Sequence, residues 1–175
     1  MKIINRFMKQ YTLMNSDYEE IKEHAHKIIE SALKDAGIMA ITSSRVKDEK
    51  RLREKLVSRN KEVMYQSIDD IVSDIPDFIG MRIALYFPND REKVGTIIQT
   101  LFDVEKIKIF PQEQRPNAEY SRRFPGYCAT HYRVYLKQPL QTELGNQRIE
   151  IQVASLLMHA WSEVEHDLTY KQKKG

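Results

Sequence analysis

Between Arg148 and Val153 apolar and polar residues alternate without a break. Ile149, Ile151 and Val153 point one way, and Arg148, Glu150 and Gln152 the other. A period of two predicts a half-buried strand. From Ser155 the period lengthens to that of a helix, and Leu157, Ala160, Trp161, Val164 and Leu168 fall on one stripe. A strand therefore presents Glu150 on a face that need not be core. The helix bearing the one tryptophan is expected to bury that ring. A carboxylate on a rigid strand is well placed to hold a metal ion or a proton, although a solvated Glu on an edge strand gives the same pattern.

Upstream, Ser16-Asp17-Tyr18-Glu19 has the spacing of a capping box, and Ile21, Ala25, Ile28, Ile29, Ala32 and Leu33 form a stripe that stops at Gly37. A helix is predicted there, with His24 and His26 in solvent, since residues two apart share no helix face. Ile38 to Val46 reads as a strand, and Asp48 to Val63 as a helix with Leu52, Leu56 and Val57 inward. Ser67 to Asp70 starts a short helix that Pro76 ends. Met81 to Phe87 is a strand, with Asp77 in the loop before it and Arg82 facing opposite to Ile83. Asn89 or Asp90 caps a helix striped by Val94, Ile97, Ile98 and Leu101. Asp103 to Phe110 and Tyr127 to Leu136 are strands flanking a loop from Pro111 to Pro125, and Pro139 to Asn146 is a turn. This order predicts an α+β fold of α/β type, a single domain with a mixed sheet of about five strands flanked by helices. Residues 1–37 form an N-terminal helical segment and 38–175 the rest of one globular unit. Ligands are expected along the sheet face where strand-borne polar residues collect.

Composition adds limits. A length of 175 residues allows one domain with a substantial core. With 41% hydrophobic and 30% charged residues the chain falls among soluble globular proteins, and a net charge of +3 is too small to imply a nucleic-acid partner by itself. Cys128 is the only cysteine, so no intramolecular disulfide forms and a reducing, cytoplasmic compartment is expected. Nothing near Cys128 marks it as an activated nucleophile, so it reads as a small strand residue. No apolar run approaches the roughly 20 residues that span a membrane, so no membrane partner is expected. The opening MKIINRFMKQYTLM lacks the apolar core of a signal peptide.

Charge is unevenly placed. From Arg45 to Lys61 eight basic residues face three acidic ones, a local balance of +5. Most such runs are solvated faces. Yet Arg45 and Lys47, two apart at a strand end, leave on the same side, and Arg51 and Lys55 share a helix face. Converging cations suit a polyphosphate. Asp77 and Glu150 supply two carboxylates of the kind that hold Mg²⁺ together with water and substrate phosphates. Arg122 and Arg123 add cations, and Tyr127 beside Gly126 offers a ring for a base to stack on. Cations with Mg²⁺ serve phosphoryl or pyrophosphoryl transfer, where charge spreads over phosphate oxygens. Neither a Walker loop nor G-x-G-x-x-G is present. His159, Glu163 and His166 share a stripe with zinc-binding potential, but hydrogen bonding and packing is the preferred reading.

These residues resemble the synthetase domain of the RelA/SpoT alarmone enzymes, in particular the small single-domain synthetases. The resemblance runs from about Ile41 to Lys171. It rests on R-x-K at Arg45-Lys47 with a further lysine at Lys55, and on D-x-x-G-x-R-I from Asp77 to Ile83. It continues with G-Y-x-x-x-H from Gly126 to His131, E-I-Q at Glu150 to Gln152, and Trp161, Glu165-His166 and Tyr170-Lys171 in the last helix. The resemblance implies a nucleotidyltransferase-like fold over 38–175. It also implies Mg²⁺-dependent transfer of a pyrophosphoryl group from ATP to the ribose 3′-oxygen of GTP or GDP, releasing AMP. Arg45 would then pack on adenine. Lys47 and Lys55, with Arg82, would hold the donor. Asp77 and Glu150 would position the metal, and Glu150 would draw the proton from the 3′-hydroxyl. Tyr127 would stack on guanine, with His131, Arg122, Arg123 and Gln152 on the acceptor side. Small synthetases often assemble into homo-oligomers through helices beyond this core. Two departures stand out. Cys128-Ala129 replaces the family's Arg-Ser or Gln-Ser, and Ala154-Ser155 replaces the Arg-Thr of E-I-Q-x-R-T. A toxin-type branch that modifies the 3′ CCA end of tRNA is the alternative. A non-catalytic nucleotide- or RNA-binding module on the same fold is the third reading.

Overall fold

A computed structural model of the chain describes residues 2–110 and 128–161. The elements in order are α1 (Lys2–Leu13), α2 (Asn15–Asp35), β1 (Ala40–Val46), α3 (Glu49–Val63), α4 (Ile68–Asp74), β2 (Ile79–Leu85), α5 (Arg91–Leu101), β3 (Phe102–Phe110), β4 (Ala129–Leu136) and β5 (Ile149–Ser155). A further helix, α6, begins at residue 156 and is described to 161. The five strands form one sheet in the order β1-β2-β5-β4-β3. Only β2 and β5 run parallel; the other pairs are antiparallel. The expected mixed five-stranded sheet flanked by helices is thus present.

Alternation along the strands separates two faces. Ile79, Met81, Ile83 and Leu85 of β2, Ile149, Ile151 and Val153 of β5, and Val134 and Leu136 of β4 are all buried. The same buried cluster takes Phe7 and Tyr11 from α1, Ile21 and Ile29 from α2, Leu52 and Leu56 from α3, Ile71 from α4, and Val94 and Ile98 from α5. The opposite face carries Arg82, Glu150, Gln152, His131 and Arg133, each half-buried.

Three expectations need correction. The first concerns the N-terminus, where α1 precedes the predicted helix. Its buried residues Ile4, Phe7, Met8 and Tyr11 have a clean helical spacing. Because α1 runs to Leu13, α2 starts at Asn15 with Met14 as N-cap and no side-chain cap bond. Ser16 is already inside α2, so the expected capping box does not form there. The box does form at Ser67 and Asp70, which open α4.

The second concerns His26, expected in solvent. Its ring nitrogens lie 2.9 Å from Thr42 Oγ1 and 2.8 Å from Ser44 Oγ, tying α2 to β1. His24 is exposed, as expected.

The third concerns α6. Ser155 Oγ accepts the Met158 N–H at 3.2 Å and caps the helix as it leaves β5. That exit fixes the facing. His159 turns inward, while Leu157 is 78% and Trp161 58% exposed. The predicted inner stripe therefore faces out over the described turns, because the strand end rather than the most apolar stripe sets the rotation. Val164 and Leu168 of that stripe lie outside the described residues.

Candidate active site

Cross-strand register sorts the polar face into rows, with neighbours about 5 Å apart. One row is Arg45, Gly80, Glu150, Arg133 and Lys106, crossing β1, β2, β5, β4 and β3. The next is Ser43, Arg82, Gln152, His131 and Lys108. A cleft of about 190 Å³ opens over the β1–β2–β5 end of these rows, lined by Ser43, Ser44, Arg45, Lys47, Asp77, Gly80, Met81, Arg82, Glu150 and Gln152. It thus collects all six residues expected on the donor and metal side except Lys55, which reaches it through Asp77.

Asp77 is the hub of the donor end. One oxygen accepts from Lys47 Nζ, and the other from Lys55 Nζ at 3.2 Å. Burial works against the charged form, but the bonds and positive charge of the two lysines outweigh it, so the carboxyl is held below the usual carboxylate range. The backbone around this hub is tightly held. Lys47 donates its N–H to Phe78 O at 2.8 Å, and Lys47 O accepts from Tyr11 Oη at 2.7 Å. Phe78 is fully buried against the rings of Phe7, Tyr11 and Tyr18, at centroid distances of 5.7, 5.9 and 6.0 Å. Burial pushes the Tyr18 hydroxyl up to about 12. Helix α3 is tied to α4 by Arg59, whose guanidinium donates to both oxygens of Asp74. Tyr11 and Phe78 are supports that the sequence reading missed. The helical spacing of Ile4, Phe7, Met8 and Tyr11 was the available signal.

Gly80 separates Arg45 from Glu150 in their row. A Cβ there would meet no protein atom within 4 Å, and its backbone is outside the left-handed region. Neither packing nor conformation requires glycine, and its effect is to leave the cleft floor bare.

At the other end Glu150 Oε2 accepts from Gln152 Nε2 at 3.1 Å, and its Oε1 lies 3.9 Å from His131 Nδ1. Burial lowers the His131 pKa, the Glu150 charge opposes that, and Lys108, His159 and Arg133 add to it, leaving it below 6.5. The ring is therefore neutral at pH 7, and the contact with Glu150 is not a full ion pair. Of the residues expected around the acceptor, the structure brings His131 and Gln152 to Glu150. Tyr127, Arg122 and Arg123 lie outside the described residues.

One residue of each departure from the family pattern falls in a third row. Ala154 is the cross-strand partner of Ala129, and on the other side of Ala84. Ala129 and Ala154 are fully buried. Ala129 and Ala154 thus form an apolar cross-strand pair where the family pattern has two polar positions, and neither lines the cleft.

Among the described residues no three His, Cys, Asp or Glu side chains converge as a ready-made metal cage. His159 Nε2 lies 3.4 Å from Ile83 O, whereas Glu163 and His166 of the considered zinc stripe lie outside the described residues. Asp77 and Glu150 line one cleft, and two oxygen donors suit a hard divalent cation that completes its shell with water and ligand oxygens. No described helix is long and apolar enough to cross a membrane.

Comparison with known proteins fits this geometry. The GTP pyrophosphokinase YwaC of Bacillus subtilis is 25% identical over 164 residues, covering 93% of this chain and 67% of that protein. YjbM of the same organism, also a GTP pyrophosphokinase, is 28% identical over 139 residues, and this chain spans 59% of its length. Small alarmone synthetase 1 from B. subtilis, bound to its product pppGpp, superposes with a TM-score of 0.68 at 24% identity, over 94% of this chain and 83% of that one. Small alarmone synthetase 2 gives a TM-score of 0.71 at 20% identity, over 94% and 83%. At those identities the structural likeness concerns the fold. The family model described as a region found in RelA / SpoT proteins matches residues 44–175, and the chain belongs to that family.

Proposed function

We propose that this protein is an alarmone synthetase that moves a pyrophosphoryl group from ATP to the 3′-oxygen of GDP or GTP. The observation that carries the reading is the cleft itself. It is lined by a lysine-held Asp77 and a strand-borne Glu150, and Arg45 and Glu150 flank a bare Gly80 in one cross-strand row.

In this reading Arg45 stacks on adenine, while Lys47, Lys55 and Arg82 hold the donor phosphates. The acceptor's 3′-oxygen attacks the β-phosphorus of ATP. Its proton passes to Glu150, a new P–O bond forms, and the bond from the β-phosphorus to the bridging oxygen breaks. That oxygen keeps the electron pair and leaves on AMP. Neutral His131 and Gln152 orient the acceptor, Tyr127 stacks on its base, and Arg122 and Arg123 add positive charge. Mg²⁺ bound by Asp77 and Glu150 would neutralise charge on the phosphate oxygens. Nucleotide substrates and the single cysteine suit the cytoplasm.

The test is incubation with γ-³²P-ATP and Mg²⁺, offering GDP, GTP and deacylated tRNA separately. Label on GDP or GTP with release of AMP is expected. Label on tRNA alone would replace this reading with the toxin-type one. Neither Ala129 nor Ala154 lines the cleft, which supports the guanosine nucleotides as acceptors.

A further inference from the structure

On the far side of Glu150 stands a cation that the donor and acceptor roles above leave unused. Arg133 follows His131 by two on β4, so both side chains leave the same sheet face. Its cross-strand partners are Glu150 on β5 and Lys106 on β3. Despite standing directly opposite Glu150, Arg133 makes no ion pair with it; Glu150 turns to Gln152 and His131 instead. The Arg133 Nε is buried and has no hydrogen-bond partner among the described residues. Leaving a buried donor unsatisfied is costly, and the cationic neighbours Lys106 and Lys108 cannot satisfy it. What fits is an anion with several oxygens, which a planar guanidinium grips in forked geometry.

Position narrows the anion further. Arg133 lies one strand, about 5 Å, from Glu150. One ribose can bridge that gap, with its 3′-hydroxyl at Glu150 and its 5′-phosphate at the guanidinium. Arg45 lies two strands away on the opposite side, beyond Gly80. The row thus reads donor cation, open floor, carboxylate, second cation.

We propose that Arg133 binds the 5′-phosphate of the acceptor nucleotide and so makes the site select nucleotides over nucleosides. This rests on the transfer reading above for which ligand is the acceptor, but its test does not depend on turnover.

Binding of GDP and of guanosine to the full chain is measured by equilibrium dialysis for the wild type, Arg133→Ala and Arg133→Lys. Label transfer from γ-³²P-ATP to GDP and thermal melting are followed in parallel. Arg133→Ala should weaken GDP binding by about tenfold, the scale of a lost charge-assisted contact. Guanosine binding should stay within about twofold, and Arg133→Lys should recover part of the GDP loss. The melting temperature should change little, since no hydrogen bond or ion pair of Arg133 among the described residues is removed. Equal losses for GDP and guanosine, no loss for either, or a wild type that does not prefer GDP would each overturn the assignment. A wild type that binds GDP through Arg133 yet transfers no label would keep the assignment and sink the transfer reading. Transfer by the wild type with unaltered GDP binding in Arg133→Ala would do the reverse.

Discussion

The two ends of the polar sheet face handle charge in opposite ways. At the β1–β2 end, Asp77 takes both Lys47 and Lys55, and Tyr11 and Phe78 clamp the backbone on which Lys47 sits. At the β4–β5 end, among the described residues, Glu150 contacts an amide and a neutral imidazole, and Arg133 across the strand is left unpaired. One end is closed on itself before any ligand arrives; the other keeps its charges for a ligand. A charge that is already paired contributes to folding, whereas an unpaired one at a cleft contributes mainly to binding. Substitutions at the first end should therefore disturb stability and activity together, and those at the second should at neutral pH disturb mainly activity.

The largest effect is expected at Glu150. Glu150→Gln keeps the shape and removes the charge, and kcat should fall by about 10³-fold or more if the residue accepts the proton and holds the metal. Its denaturation midpoint should match the wild type. AMP formation near the wild-type rate would remove Glu150 from the chemistry.

Asp77→Asn should couple the two readouts. Activity should drop by about 10²-fold, and stability by about 1–3 kcal/mol as two lysines lose their acceptor. The dependence on pH carries a sign. The folded-state pKa of Asp77 is depressed, so its contribution is full above the unfolded value of about 3.9 and is lost as pH falls through the folded value. The gap between wild type and Asp77→Asn in urea should therefore narrow below about pH 4. A gap that stayed constant down to pH 2 would mean that the lysine pairs do not hold the carboxylate.

How much of this was legible in sequence follows the same division. Period-two alternation placed Glu150, Gln152 and Arg82 on the correct face, because a strand between buried neighbours has no freedom to roll. Spacing brought Arg45 and Lys47 to one strand end. Neither reveals partners across the fold: the grip of Lys47 and Lys55 on Asp77, or of Tyr11 on Lys47 O, depends on how α1 and α3 dock. Arg133 escaped notice because, in sequence, it is one polar position on an alternating strand. Its meaning comes from standing opposite Glu150, which only the β4–β5 register provides.

A smaller effect separates the ends through His131. Its folded pKa lies below that of the free side chain, so the unfolded chain binds the proton more readily. This contribution is full above about pH 6.5 and is lost as pH falls through the folded value. His131→Gln should accordingly flatten part of the stability loss of the wild type between pH 7 and 5, read from urea midpoints. Because the ring stays neutral from pH 7 upward, the acceptor KM should be flat there. Tyr11→Phe acts at the other end. Loss of its bond to Lys47 O should cost about 0.5–1.5 kcal/mol and raise the KM for ATP several-fold while leaving the KM for GDP unchanged. A matching rise for GDP would show that the ends are not independent.

The smallest effect is expected where the sequence suggested a large one. A buried tryptophan truncated to alanine costs about 3–5 kcal/mol, and the apolar stripe of α6 pointed to that outcome. With Trp161 58% exposed and Leu157 beside it more exposed still, Trp161→Ala should cost less than about 1 kcal/mol. His159, on the inward side of the same turns, is the contrasting position: its ring is buried near Ile83 O, and His159→Ala should lower the urea midpoint more than Trp161→Ala does. If the order were reversed, α6 would be rotated to put its apolar stripe inward. The cap at Ser155 would then not set the facing, and the support behind the Glu150 strand would have to be assigned to tryptophan after all.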